Sequence, residues 1–276
     1  MSLKVIALGT GVCVNGCNPG PLRYPPGFLI DYNGSLLLLD ASEGIRFRIA
    51  EQGYDIGDVA HVAISHVHPD HAAIPQFLQA KLCRVLWAES TDKMKNATVY
   101  MHEASAEKFS EVWKWHHPEA GDNMNHMPDK FQFSIQPMRG GWTSEIIPGL
   151  QLSAFGVYHG FGQHPALGLK VQTPEGTIVY TGDAGLTDGL FANIENADLL
   201  IADSSAPIGQ EYTAGYGHMG PAQCGMLAAR GKVKTLWLTH YIGRDNPAAM
   251  EAEARKTGFA GNIKVATDNL TWVNNQ

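Results

Sequence analysis

The residues of this chain that could carry chemistry are concentrated in one heptapeptide, Ser65–His71, with the sequence SHVHPDH. Three imidazoles and one carboxylate follow an apolar run and precede a stretch with helical periodicity. Neutral imidazole and carboxylate groups are the ligands that zinc, manganese and iron accept in proteins. Desolvating four such groups on one tight turn would be costly without a cation to compensate them. The heptapeptide therefore predicts a metal site.

The spacing within the heptapeptide indicates room for two ions. His66 and His68 are two residues apart, so both side chains can point to the same side of extended backbone. Asp70 and His71 are expected at the start of the following helix, where they can serve a second ion. An isolated histidine is more often structural than ligating, and we interpret His61, at the polar boundary of the preceding strand, in that way.

The elements that must position these side chains are predicted from the hydrophobic pattern. Short apolar runs rich in leucine or β-branched residues predict ten strands: Leu3–Leu8, Phe28–Asp31, Ser35–Leu39, His61–Ser65, Thr98–Met101, Leu150–Gly156, Gly168–Thr173, Thr177–Thr181, Leu199–Ala202 and Thr235–Leu238. Helical patterns predict five helices: Glu43–Gln52, Asp70–Leu86, Glu103–Trp115, Gly220–Arg230 and Pro247–Lys256. Asn33-Gly34 and Pro174–Gly176 predict hairpin turns.

Strands and helices alternate in both halves of the chain, which predicts two sheets packed face to face with helices outside. The 276 residues, 44% of them hydrophobic, suffice for one large α/β domain, and we expect a single domain over 1–276. The segment 81–149 is rich in Trp, His and Met with weak periodicity. We interpret it as an elaboration beside the core, and two alternatives stay open, a cap over the metal pocket and additional core.

Composition restricts the partners and the location of the protein. The net charge of -7 disfavours a broad nucleic-acid surface, although it leaves a local basic groove open. No run of about 18 apolar residues predicts a membrane span, and the first strand is too short for a secretory segment. Four irregularly spaced cysteines predict no disulfide framework and a cytoplasmic location. Cys13 and Cys17 are disfavoured as metal ligands because no second pair matches their spacing.

Five further segments occur in the order and context of a known family. They are Gly9–Gly11, Leu39–Gly44, the loop of His159, Thr181–Asp183 and Leu238–His240. Together with H-x-H-x-D-H at the end of a strand, they resemble the metallo-β-lactamase superfamily over nearly the whole chain. The resemblance implies an α/β fold of that family, the four-layer αββα sandwich, with its metals at one edge.

The resemblance also implies a cofactor of two divalent ions, with zinc expected and manganese or iron as alternatives. The implied ligands are His66, His68 and His159 for the first ion, Asp70, His71 and His240 for the second, and Asp183 as the bridge. His164 is a rival of His159 from the same loop. We prefer His159 because it lies directly after the predicted strand.

By this resemblance, Asp183 disfavours a true β-lactamase, since the β-lactamases of the superfamily that have a cysteine at this position bind zinc differently. An aspartate here resembles the dinuclear phosphodiesterase-type and lactonase-type members. Three segments, Pro165–Leu169, Leu199–Ser205 and Gly217–Gln223, resemble the branch that holds the tRNA 3′-end endonuclease and its phosphodiesterase and arylsulfatase relatives. The tRNA enzymes of that branch carry a long Gly- and Pro-rich arm, often between the positions of His159 and Asp183. Here those positions are only 24 apart, which leaves no room for an arm.

We therefore expect a metal-dependent hydrolase that cleaves a small phosphodiester or related ester, with Asp70 orienting a water that two ions activate. A lactonase or arylsulfatase-like hydrolase is the alternative. A tRNA 3′-processing endonuclease, an iron-dependent redox enzyme and a non-catalytic metal-binding protein are less favoured, since the diiron redox type has Glu in place of His68. The expected partner is a small-molecule ester, nucleic acid is disfavoured, and a homodimer is left open.

A proton donor is predicted outside the ligand set. His218 stands before a predicted helix, in a segment that resembles the His motif of the branch, and Asp203 could accept its ring N–H. Such a carboxylate fixes the tautomer and raises the basicity of the imidazole, which suits a donor to a departing alkoxide. The alternative is a histidine that Asp203 holds for stability alone.

Overall fold

The computed structural model describes residues 2–13, 22–87, 96–120, 123–125, 131–210 and 215–274. These residues form fourteen strands and six α-helices. The strands are β1 (Leu3–Gly9), β2 (Gly27–Tyr32), β3 (Ser35–Leu39), β4 (Val59–Ala63), β5 (Ala97–His102), β6 (Phe133–Met138), β7 (Thr143–Ile147), β8 (Leu150–Gly156), β9 (Leu167–Thr173), β10 (Gly176–Tyr180), β11 (Leu199–Asp203), β12 (Thr235–Thr239), β13 (Asn262–Val265) and β14 (Thr271–Val273). The helices are α1 (Ile45–Glu51), α2 (Ile74–Leu86), α3 (Glu103–His116), α4 (Asp188–Asn193), α5 (Pro221–Arg230) and α6 (Pro247–Arg255).

The strands form two seven-stranded mixed sheets. The first has the order β14-β1-β2-β3-β4-β5-β6 and the second the order β13-β12-β11-β10-β9-β8-β7. The β2–β3 and β9–β10 hairpins are antiparallel, as predicted, whereas β3 to β6 and β10 to β13 run parallel. Parallel neighbours bring their carboxyl ends to one edge of a sheet, and loops that follow such ends are where α/β folds place functional side chains.

Alternation of side chains along the strands produces the layers. On β1, Val5 and Ala7 belong to a core cluster shared by both sheets, whereas Ile6 and Leu8 belong to the cluster between the first sheet and its helices. A third cluster lies between the second sheet and α4, α5 and α6. The arrangement is helix, sheet, sheet, helix, and the predicted αββα sandwich is confirmed.

Helix α2 starts later than the sequence pattern predicted. The prediction placed its start at Asp70, but the helix begins at Ile74. The backbone before it pairs with Ala41 instead, because the Ala41 N–H donates to the His71 carbonyl at 2.9 Å and the Ala73 N–H donates to the Ala41 carbonyl at 2.6 Å. Asp70 and His71 therefore lie in a turn held against the end of β3, not in a helix.

The other differences concern short or shifted elements. The strand predicted at His61–Ser65 is Val59–Ala63, so Ile64 and Ser65 belong to the loop before His66. Four strands, β6, β7, β13 and β14, and the helix α4 had no prediction. These elements are three to six residues long and partly exposed, and β6 contains a proline, so they lack the long apolar runs on which the prediction depended.

Much of the segment 81–149 belongs to the layers of the sandwich. Strands β5 and β6 extend the first sheet and β7 is the edge of the second. Trp113 on α3 is 1% exposed and packs in the outer core cluster of the first sheet. His126 lies outside the described residues, and a cap over the metal pocket stays a prediction. Among the residues described, no helix is long and apolar enough to cross a bilayer.

The packing of α5 against α6 gives a test of the outer layer. A Cβ at Gly225 would lie 2.2 Å from the Ala254 carbonyl oxygen, whereas one at Gly189 on α4 would meet only a hydroxyl at 3.8 Å. Alanine gains roughly 0.5–1 kcal/mol of helix stability over glycine, but overpacking costs roughly 1–3 kcal/mol. We expect Gly225→Ala to lower the free energy of unfolding in urea and Gly189→Ala to leave it equal or slightly higher. A Gly225→Ala protein as stable as the parent would contradict this packing.

Candidate metal centre

Loops from both sheets meet at one edge of the sandwich. They follow the ends of five strands, β4, β8, β10, β11 and β12, and the last two bring Asp203 and His240 to the same place. The side chains that converge there are His66, His68, Asp70, His71, His159, Asp183, Asp203, His218 and His240. Residues from distant parts of the sequence thus form a single cluster of imidazoles and carboxylates.

The first ligand group contains His66, His68, His159 and Asp183, whose ligand atoms all lie within 4.8 Å of one another. Nδ1 of His68 lies 3.0 Å from Nε2 of His66 and 3.2 Å from Nε2 of His159. Oδ2 of Asp183 lies 3.7 Å from Nε2 of His66 and 3.8 Å from Nε2 of His159. Three ring nitrogens and one carboxylate oxygen therefore surround a common point.

The second ligand group contains Asp70, His71 and His240. Nε2 of His240 lies 3.6 Å from Oδ2 of Asp70. The other oxygen of Asp183, Oδ1, lies 3.3 Å from Nε2 of His71 and 3.5 Å from Nε2 of His240. The two oxygens of Asp183 thus face different groups of imidazoles.

The donor set fits divalent metal ions. Nε2 of His71 and both ring nitrogens of His240 are buried and form no hydrogen bond to any described residue. Each of these Nε2 atoms nevertheless points at carboxylate oxygens 3.3–3.6 Å away. Buried polar atoms normally have a partner, and imidazole nitrogens gathered with carboxylates at such distances have a common partner when a cation lies between them.

The pKa shifts in the cluster indicate that its buried carboxylates favour positively charged partners. Burial disfavours the charged form of His71, but Asp183 and Asp40 raise its pKa to about 10. Burial and the neighbouring His71 hold the pKa of His66 well below its ordinary value. Burial disfavours the ionised form of Asp183, yet the charges of His240 and His71 hold its pKa well below the usual range. Protons and metal ions therefore compete for the same nitrogens.

Asp40 anchors the second ligand group. This fully buried carboxylate accepts hydrogen bonds from the Ser65 N–H and hydroxyl, both at 2.7 Å, and from the Tyr180 hydroxyl at 2.7 Å. His71 donates to it through Nδ1 at 2.8 Å, which leaves Nε2 facing the metal centre. The Leu39–Gly44 segment was among those that carry the family resemblance, but no role was predicted for Asp40. A lone aspartate directly after four leucines was the signal that could have identified it.

His218 and Asp203 form a pair beside the second ligand group. His218 donates through Nδ1 to Oδ2 of Asp203 at 2.7 Å. Asp203 is fully buried and also accepts from the Ala184 N–H at 3.1 Å and the Ser205 hydroxyl at 2.9 Å. Burial alone would lower the pKa of His218, but Asp203 raises it. With Asp183 and His240, the pair could also hold a cation, so geometry alone leaves a ligand role open.

The structure also positions the remaining candidates. His159 belongs to the first ligand group and donates through Nδ1 to the Gly217 carbonyl at 3.1 Å. His164 stacks on His68 with ring centroids 4.3 Å apart but belongs to no ligand group among the described residues. His61 lies 3.0 Å from the Tyr100 hydroxyl, in keeping with a structural role. Cys13 donates its backbone N–H to Asp70 at 3.2 Å, whereas Cys17 lies outside the described residues.

Comparisons with known proteins identify relatives in sequence and in fold. The Ribonuclease Z of Streptomyces avermitilis is 24% identical over 311 aligned residues, which cover 97% of this chain and 96% of that protein. The metallo-beta-lactamase fold protein YhfI from Bacillus subtilis superposes with a TM-score of 0.80 at 20% identity, covering 99% of this chain and all of that one. A diphosphatase from the PhnP family superposes with a TM-score of 0.74 at 17% identity, covering 99% and 97%.

A family model described as a beta-lactamase superfamily domain matches residues 36–241. The matched range contains all residues of both ligand groups. It extends along the parallel strands of both sheets as far as β12. The predicted resemblance is confirmed. With the fold, the clustered ligands and this match in agreement, the chain belongs to the beta-lactamase superfamily domain family and has the metallo-β-lactamase fold of metal-dependent hydrolases.

Proposed function

We propose that the chain is a dinuclear metallohydrolase that cleaves a small phosphodiester or related ester. The observation that carries this proposal is the placement of Asp183, whose two oxygens face two separate sets of imidazoles. A site for one ion would not require the second set. These distances support the proposed ligand assignment: His66, His68 and His159 for one ion, Asp70, His71 and His240 for the other, and Asp183 for both.

Two divalent ions held in this way would supply an activated water and neutralise charge that develops on phosphoryl oxygens. Asp70 is suited to orient the attacking water. Burial opposes its ionisation, but the His240 imidazole, 3.6 Å away, and the charge of His71 lower its pKa to about 2. Asp70 therefore stays ionised near neutral pH and accepts a hydrogen bond. The Cys13 N–H fixes one of its oxygens.

His218 is suited to protonate the leaving group. Its Nδ1–H is held by Asp203, so the proton that the charged imidazole can release is the one on Nε2, and Asp203 raises the pKa of His218. Asp203 has a pKa of about 2, because the neighbouring His218 charge outweighs the effect of burial, and it remains an anion that stabilises the imidazolium. The His218 side chain is 22% exposed, so a substrate can reach it from solvent. A proton donor of this kind contributes most when the leaving alkoxide is strongly basic.

Trimming of precursor tRNA is the second candidate, because the curated relatives are named Ribonuclease Z. Three observations favour a smaller substrate. Between His159 and Asp183 the chain forms only a short turn at Gly160–Gly162 and the β9–β10 hairpin. The alignment with the Streptomyces protein is 311 positions long and this chain has 276 residues, so at least 35 positions of that relative have no counterpart here. The net charge of -7 provides no general replacement for a docking surface.

The remaining alternatives differ in what they require of the site. A lactonase or arylsulfatase-like activity uses the same ligand groups and differs only in the ester. Iron-dependent redox chemistry is less favoured because His68 stands where the diiron type has Glu. A non-catalytic protein is less favoured because a His or Asp side chain stands at each of the seven proposed ligand positions and these side chains converge.

Metal content tests the ligand assignment. We expect about two divalent metals per chain after reconstitution, measured by emission spectrometry. Asp183→Ala should lose at least one ion, since both groups share this carboxylate, while Asp188→Ala on α4 serves as a control outside the site. Fewer than one equivalent in the parent protein, or an Asp183→Ala protein that keeps both ions, would overturn the assignment.

Substrate scope tests the reaction. We expect the metal-loaded protein to cleave bis(p-nitrophenyl) phosphate and to trim precursor tRNA at no useful rate, because the docking segment is absent. The assay is a panel of phosphodiester, phosphonate, lactone, sulfate and β-lactam substrates run beside a precursor tRNA. Specific and efficient removal of tRNA 3′ trailers would show that the small-substrate proposal is wrong.

The dependence on the leaving group tests His218. We expect His218→Ala to keep its metals and its fold while turnover falls roughly 10²–10⁴-fold on diesters with alkoxide leaving groups. The loss should be much smaller with p-nitrophenolate, which departs without protonation. An equal loss on both kinds of substrate, or loss of metal with the imidazole, would assign His218 to the ligands or the scaffold.

A further inference from the structure

Two exposed aromatic side chains border the metal centre and have no role in the mechanism above. Phe161 is 64% exposed and Tyr216 is 40% exposed. Scattered exposed apolar side chains are normal on a protein surface. These two, however, contact each other, with ring centroids 5.1 Å apart and planes at 85°. They lie on the two loops that carry His159 and His218.

Tyr216 lies against the accessible side of the histidine cluster. Its ring is nearly parallel to those of His68, at 6.4 Å and 16°, and His218, at 5.6 Å and 21°. His66, His159 and Asp183 are buried to 4% exposure or less, whereas His68 and His218 are partly exposed. The centre is therefore open on the side of His68 and His218, which is the side that Tyr216 occupies.

Phe161 is held in this place at a conformational cost. Its backbone has φ 57 and ψ 26, a left-handed conformation that side chains with a Cβ rarely adopt. Two left-handed glycines, Gly160 and Gly162, flank it, and its N–H donates to the Tyr216 carbonyl at 3.3 Å. Because the ring is mostly exposed, burial does not offset the strain. Strain of this kind at the edge of an active site is typical of a residue that contacts a ligand.

We propose that Phe161 and Tyr216 form an aromatic platform that binds a planar ring of the substrate, namely a nucleobase attached to the scissile phosphodiester. The proposal rests on the hydrolytic function above and specifies its substrate class. Nucleobases stack on exposed aromatic rings with little dependence on sequence. A ring on the platform places its phosphate beside His68, a member of the first ligand group, and beside His218.

The kinetic test compares two substrates with the same leaving group. These are thymidine 5′-(p-nitrophenyl phosphate) and methyl p-nitrophenyl phosphate, which differ only in the group that remains on phosphorus. Stacking of one base corresponds to roughly 5- to 150-fold in affinity. We expect Phe161→Gly to lower kcat/KM for the thymidine ester about tenfold or more and to change that for the methyl ester less than twofold. Phe161→Tyr should retain the preference, and Trp115→Ala, which removes a 78% exposed ring on α3, should also retain it.

A binding measurement separates the platform from the reaction. We expect metal-loaded protein to bind thymidine 5′-phosphate at least fivefold more tightly than methyl phosphate in calorimetry, and Phe161→Gly to abolish this difference without lowering the melting temperature. If neither ester is cleaved but the binding difference depends on Phe161, the platform stands and the hydrolytic proposal fails. A parent protein with no preference, or equal losses in Phe161→Gly and Trp115→Ala, would overturn the platform.

Discussion

The carboxylate of Asp183 is the point on which the geometry of the site depends. It is 4% exposed, and its two oxygens lie within 3.3–3.8 Å of four imidazole nitrogens from three different loops. The residue before it, Gly182, has a left-handed φ of 58, and a Cβ there would lie 2.7 Å from that of Ser65. Only glycine allows the end of β10 to approach the histidine loop after β4 so closely. The close contact between the two sheets at this edge thus brings both ligand groups to Asp183.

Two further buried carboxylates hold the histidines in orientation. Asp40, directly after β3, accepts hydrogen bonds from His71 and from the Tyr180 hydroxyl of the other sheet. Asp203, at the end of β11, accepts a hydrogen bond from His218, and its Oδ1 lies 3.5 Å from Nδ1 of His240. A carboxylate that accepts the remote N–H of a ligating imidazole fixes its tautomer and increases its basicity. Asp40 and His240 both adopt positive φ, so backbone strain also contributes to this edge.

The sequence predicted the local parts of this account better than the spatial ones. Short apolar runs predicted β1 and β3, and the clustered histidines predicted the metal site, because both signals lie within a few residues. His159, Asp183 and His240 have no local pattern and entered only through the family resemblance. The predicted start of α2 was wrong because a tertiary contact with Ala41 takes the His71 carbonyl and the Ala73 N–H as hydrogen-bond partners. The edge-to-face contact of Tyr216 with Phe161 joins loops about 55 residues apart, which no periodicity reveals.

The central claim is that one carboxylate joins two cations, and magnetic coupling tests it most directly. Manganese(II) can be titrated into metal-free protein and followed by electron paramagnetic resonance. A bridge through Asp183 predicts that the second equivalent converts the signal of isolated ions into that of an exchange-coupled pair, and that Asp183→Asn with two equivalents gives no coupled signal. Two equivalents that bind to the parent protein and remain magnetically independent would contradict a bridge through Asp183.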